Sequence, residues 1–112
     1  MNLINPLYII TRCSNRPNFF SQTYKSIKSQ TYPNITHIVT YDTPETLSYL
    51  NKYTDLFKVS VERKPRLEVA HFPYNLYCNY AQEMVAKMPS GWIMYLDDDD
   101  IFTSNTAVEV IM

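Results

Sequence analysis

The sequence predicts an α/β fold, a three-layer sandwich around a mainly parallel sheet with strand order 3-2-1-4. Three observations carry that prediction. Short apolar, β-rich runs alternate with segments of helical period, strand then helix four times over. Prolines and capping residues mark helix starts at Pro17 and at Thr43-Pro44-Glu45. Polar and charged residues collect where strands end: Thr11 and Arg12 after the first, Asp42 after the second, Asp97 to Asp100 after the fourth. In an open α/β sheet with this order, strands one and four flank the switch point, and ligands bind beside their carboxyl ends.

Taken in order, Leu7 to Thr11 is a short β-rich apolar run that reads as a buried first strand. From Pro17 to about Gln30 the spacing places Phe20, Tyr24, Ile27 and the stem of Lys28 on one helix face, and Thr31 to Asn34 with Pro33 ends it. Thr36 to Tyr41 is the second strand. Thr43 caps the second helix, which runs to about Tyr53 with Leu47 and Leu50 as its buried side. Phe57 to Val61 alternates as a half-exposed edge strand does. Glu62 to Pro73, with two prolines and the basic residues Arg63, Lys64 and Arg66, reads as a loop. Helical period returns from about Tyr74 to Met88 and stops at Pro89-Ser90-Gly91. Trp92 to Leu96 reads as a buried fourth strand, and Thr103 or Ser104 as the cap of a final helix running to Met112.

Composition narrows the function. At 112 residues the chain is read as one domain, 1–112, with 46% hydrophobic and 19% charged residues, as an ordinary globular protein has. Its single glycine, Gly91, excludes a Gly-rich phosphate loop. A formal net charge of -1 without a basic run argues against nucleic acid as a partner. No stretch approaches a membrane span, and no secretory leader opens the chain, so a cytoplasmic location is expected. Cys13 and Cys78 lack metal-ligand spacing and read as reduced thiols, while His37 and His71 read as structural.

The run Asp97-Asp98-Asp99-Asp100 is the chemically loaded stretch. Four adjacent carboxylates with reference pKa values near 4 repel one another, so a positive species belongs among them. Alternation would point Asp97 and Asp99 to one side and Asp98 to the other, two carboxylates suited to Mg²⁺ or Mn²⁺ shared with water and a diphosphate. A solvated acidic turn whose last member, Asp100, caps the final helix also fits the run. Arg12 beside it suits a phosphate or a stacked base, and Asp42 suits a turn or a ligand contact.

Asn15-Arg16-Pro17, Gln30-Thr31-Tyr32-Pro33-Asn34, Asp42 after a strand, and Gly91-Trp92-Ile93 leading to Leu96-Asp97-Asp98-Asp99-Asp100 together resemble family 2 glycosyltransferases of the GT-A fold. The resemblance implies a Rossmann-like half that binds a nucleotide-diphospho-sugar, a UDP-sugar above all, with Mn²⁺ or Mg²⁺ as cofactor. It implies Thr11 and Arg12 flanking the uridine, Asp42 on the base, Asp97 or Asp98 near the ribose and Asp99 on the metal, with Asp97 as a second ligand. It departs from the family after the second strand, where Tyr41-Asp42-Thr43-Pro44 stands, and in the helix before the acidic run, where Asn79 lacks an adjoining Arg. The half that binds the acceptor hydroxyl is expected to lie outside this chain, which leaves a non-catalytic nucleotide-sugar-binding or interaction module as the alternative and a homo-oligomer as a way to cover apolar surface.

Overall fold

The computed structural model describes residues 5–61 and 82–112. The charged loop, its basic cluster, Asn75, Asn79, His71, Cys78 and most of the helix expected from Tyr74 lie outside the described residues. Seven elements follow in order: β1 (Leu7–Arg12), α1 (Pro17–Lys28), β2 (Ile35–Tyr41), α2 (Pro44–Leu50), β3 (Phe57–Ser60), β4 (Trp92–Tyr95) and α3 (Ala107–Ile111), with residues 82–85 also helical. The sheet has the order β3-β2-β1-β4, as the sequence predicts, and every pairing in it is parallel.

β1 is apolar from Leu7 to Ile10, as suits a strand with both faces covered. Leu7 and Ile9 pack with Ile27 of α1 and Val108 of α3 on one face. Tyr8 and Ile10 pack with Ile38, Val59 and Val85 on the other, where the Tyr8 hydroxyl also donates to the Pro89 carbonyl at 2.6 Å. These two faces and the sheet between them make the three layers. On the α1 side Phe20, Val39, Tyr49 and Leu50 form a further cluster that seats α2.

Four local readings are corrected. On α1 the buried residues are Phe20, Thr23 and Ile27; Tyr24 is only partly covered, and Lys28 is exposed and paired with Asp55 at 2.7 Å. Thr23 goes inward because its hydroxyl is needed there, as described below. On α2 Leu50 is buried as expected, but Leu47 is only half-buried, and the buried side is completed by Thr46 and by Tyr49, whose ring packs against Phe20 with centroids 5.9 Å apart. β4 is not a buried strand: Trp92 is 61% exposed, and only Met94 is half-buried, because β1 is the only strand paired with it among the described residues. The last helix begins at Ala107 with no side-chain cap, later than Thr103 or Ser104 would start it, because residues 98–104 are spent on contacts with α1.

Gly91 has a steric reason beyond ending a helix. The Trp92 amide donates to the Pro6 carbonyl at 2.9 Å to start the β4–β1 pairing, and a Cβ on Gly91 would lie 2.4 Å from that same oxygen.

Candidate functional site

The carboxyl ends of β1 and β4 sit side by side, and the chain leaving each forms the site. After β4, Asp97 to Asp100 close a tight turn: the Asp100 amide donates to the Asp97 carbonyl at 3.1 Å, and the Asp97 amide donates to Asp100 Oδ2 at 3.2 Å. Asp100 thus closes its own turn, and the helix-capping role open to it in the sequence is not the one it takes. The turn also divides the four carboxylates. Asp98 is 1% exposed and points inward, whereas one oxygen from each of Asp97, Asp99 and Asp100 lies within 4.8 Å of the others on the exposed side.

Asp98 is held by the loop after β1. Its Oδ2 accepts from the Ser14 amide at 3.1 Å and from the Ser14 hydroxyl at 3.2 Å, and its Oδ1 accepts from Arg16 Nη2 at 2.5 Å. Arg16 extends its other terminal nitrogen to Asp99 Oδ2 at 3.5 Å and its Nε to the Ser14 hydroxyl at 3.1 Å. Ser14 is itself fixed, because the Tyr49 hydroxyl of α2 donates to its carbonyl. A buried carboxylate with three donors is satisfied, as a charge in that position must be.

The backbone of the turn is held by α1. Thr23 Oγ1 lies 3.0 Å from the Asp98 carbonyl and 2.7 Å from the Asp100 carbonyl. One turn on, Ser26 Oγ accepts from the Phe102 amide at 3.2 Å, and Gln30 donates to the Ser104 carbonyl at 2.8 Å while accepting from the Val108 amide at 3.0 Å. Thr23 and Ser26 fall on one face of α1 and Gln30, just past its end, continues their line, so a polar stripe runs beside the apolar one. The Gln30-Thr31 pair continues it, with Thr31 donating through its amide to Asn105 and through its hydroxyl to Glu109.

Electrostatically the turn is short of positive charge. Partial burial holds the Asp97 carboxyl above the usual range, the neighbouring Asp100, Asp99 and Asp98 add to that, and the Arg12 guanidinium opposes it. Arg12 therefore belongs to the electrostatic surroundings of the turn. Thr11 does not reach it: the residue is fully buried and its hydroxyl meets His37 Nε2 at 2.8 Å. Asp42 follows β2 directly, half-buried, one strand further out. His37 is structural, stacked on Phe20 with ring centroids 5.9 Å apart. Three clustered oxygen donors fit a hard divalent cation of the Mg²⁺ or Mn²⁺ kind, for which carboxylates are the ordinary ligands. Among the described residues a groove of about 290 Å³ lies by Tyr32, Pro33, Ile35 and His37, toward the start of β2, and a larger one of about 680 Å³ by Pro6, Tyr8, Thr36 and Pro89.

Sequence reasoning about the site passed over Ser14, Arg16 and Thr23. Arg16 belongs to the Asn15-Arg16-Pro17 stretch that carries part of the family resemblance, and Thr23 shows in the sequence only as a polar residue three before Ser26 and seven before Gln30.

The family model described as Glycosyl transferase family 2 matches residues 8–112. The chain belongs to this glycosyl transferase family. No curated protein matches it at a significant level. Among solved structures, S. aureus TarS 1-349 is 18% identical, with a TM-score of 0.62 over 95% of this chain and 31% of its own. A mannosyltransferase, PcManGT from Pyrobaculum calidifontis, in complex with GDP-Man and Mn²⁺, is 15% identical with a TM-score of 0.61, over 92% of this chain and 30% of its own. The family 2 chain thus has the fold of part of these two proteins and spans about a third of their length. Among the described residues no helix is long and apolar enough to cross a membrane.

Proposed function

We propose that this family 2 chain is a nucleotide-sugar-binding domain, the donor side of a glycosyltransferase that moves a sugar from a nucleotide-diphospho-sugar, a UDP-sugar above all, to an acceptor hydroxyl. The observation that carries the reading is the placement of three carboxylate oxygens, from Asp97, Asp99 and Asp100, together at the carboxyl ends of the β1–β4 pair. Family membership and the likeness to a mannosyltransferase solved with GDP-Man and Mn²⁺ support it.

Asp99 and Asp97 would hold the cation, with Asp100 next to them. The cation, when bound, supplies charge stabilisation for the departing nucleoside diphosphate. Arg12 and Asp42, which end β1 and begin the turn after β2, would face the nucleoside, with the backbone at Thr11 lining the same side. Asp98 would act from beneath, setting the position of its two neighbours. In the transfer, the acceptor oxygen bonds to the anomeric carbon, the bond from that carbon to the diphosphate breaks, and the hydroxyl proton passes to a base outside the described residues.

Calorimetry tests the reading. UDP is expected to bind only with Mn²⁺ or Mg²⁺ present, and Asp99→Ala is expected to abolish that dependence. UDP binding that is unaffected by EDTA and by the substitution overturns it. Transfer or slow hydrolysis of a UDP-sugar distinguishes an enzyme from a binding module.

A further inference from the structure

The contacts made by Arg16 are unequal, and the inequality has a functional meaning. Its Nη2 meets Asp98 at 2.5 Å, where the carboxylate side is 1% exposed, while its Nη1 meets Asp99 at 3.5 Å, where both partners are close to half exposed. The Asp98 contact is buried, short and supported by two further donors from Ser14. The Asp99 contact is long, solvated and backed by no other hydrogen bond among the described residues. Pairs of the first kind are costly to break, whereas pairs of the second kind are worth little.

Asp99 also belongs to the three-carboxylate group. In the ligand-free protein its charge is therefore partly answered by a guanidinium, and a cation entering the group competes with that guanidinium. We propose that Arg16 is a resident counter-cation: it stays on Asp98 throughout, positions the turn from there, and yields Asp99 to the divalent cation when one binds.

This rests on the metal-dependent reading of the site, and it makes Arg16 a positioning residue rather than a ligand of the donor. It also separates two adjacent aspartates by role. Asp98 never contacts the metal, and Asp99 exchanges one positive partner for another.

Two measurements on the 112-residue chain test it. In the unsubstituted protein, a Mg²⁺ titration followed by carbon NMR of the side-chain carboxyls is expected to move Asp99 while Asp98 stays in place. Movement of both together would make Asp98 a ligand and overturn the proposal. The second measurement is Mn²⁺ affinity by electron paramagnetic resonance in Asp98→Asn and in Asp98→Asn/Arg16→Met, the asparagine preventing a buried carboxylate from being left without its arginine. Loss of the competing guanidinium is expected to tighten Mn²⁺ about 3-fold in the double variant over the single one, the scale of an exposed ion pair. Equal or weaker binding overturns the counter-cation role while leaving the metal site standing. Absence of any Mg²⁺ or Mn²⁺ response in the unsubstituted chain overturns both the proposal and the functional reading beneath it.

Discussion

Thr23 of α1 reaches two carbonyls of the acidic turn, those of Asp98 and Asp100, from a helix that precedes them by some seventy-five residues. One hydroxyl has one proton, and with the Phe19 carbonyl of its own helix also 3.3 Å away it serves these acceptors by sharing or alternation, the two turn carbonyls being the nearer. Thr23→Val keeps the shape and removes the proton. It is expected to cost about 1 to 2 kcal/mol in chemical denaturation, the scale of a buried hydrogen bond lost with its acceptors left dry. Thr23→Ser is expected to restore most of that loss.

Asp98→Ala removes a buried carboxylate and leaves the Ser14 amide and hydroxyl without that acceptor. Because Arg16 is 44% exposed, water can take over its charge, and the loss is set chiefly by the Ser14 donors and the vacated volume. A destabilisation of about 2 to 3 kcal/mol is expected in the same assay. Asp98→Asn, which keeps acceptors for Ser14, is expected to lose about half as much.

His37 makes stability depend on pH. Burial lowers its pKa from 6.5 to about 4, with the more distant Asp55 opposing weakly. The unfolded chain therefore takes up the proton first, so stability is full above about pH 6.5 and declines as the pH falls toward 4. The shift corresponds to about 3 kcal/mol across that window. Denaturation midpoints measured at intervals from pH 7 to pH 4 check it, and His37→Gln is expected to flatten the slope.

Gly91→Ala tests the start of β4. The added methyl would meet the Pro6 carbonyl oxygen at 2.4 Å, and since that atom is backbone it cannot swing away. A loss of about 2 kcal/mol is expected, the order of overpacking in a tight contact. Amide exchange at Trp92, whose hydrogen bond to Pro6 would break first, locates the damage.

The sheet order was legible because the strands carry their pattern locally. β1 is apolar from Leu7 to Ile10 and central, and the four β-rich runs are separated by segments of helical period or by turn signals. The exposure of β4 was not legible, since Trp-Ile-Met-Tyr reads the same whether or not a neighbour covers it. At the site, the division of Asp98 from Asp97 and Asp99 was expected from strand alternation, and it arises instead from a turn that Asp100 closes. Arg16 and Thr23 escaped because their partners lie more than seventy residues away, and nothing in local spacing encodes a contact of that range. The polar stripe on α1 was the one trace of it.

That stripe has a consequence for the order of events in folding. Thr23, Ser26 and Gln30 are synthesised early, and the distant groups they hold, from Asp98 to Val108, are synthesised late. Closing loops of that length is an entropic cost that local contacts do not share, so α1 and the β1–β2 pair can form while the acidic turn is still unmade. The turn closes locally through Asp97 and Asp100, and it is fixed in place only when residues 98–108 have docked beside α1. Divalent-cation binding at this turn would then report that residues 102–108 have docked beside α1.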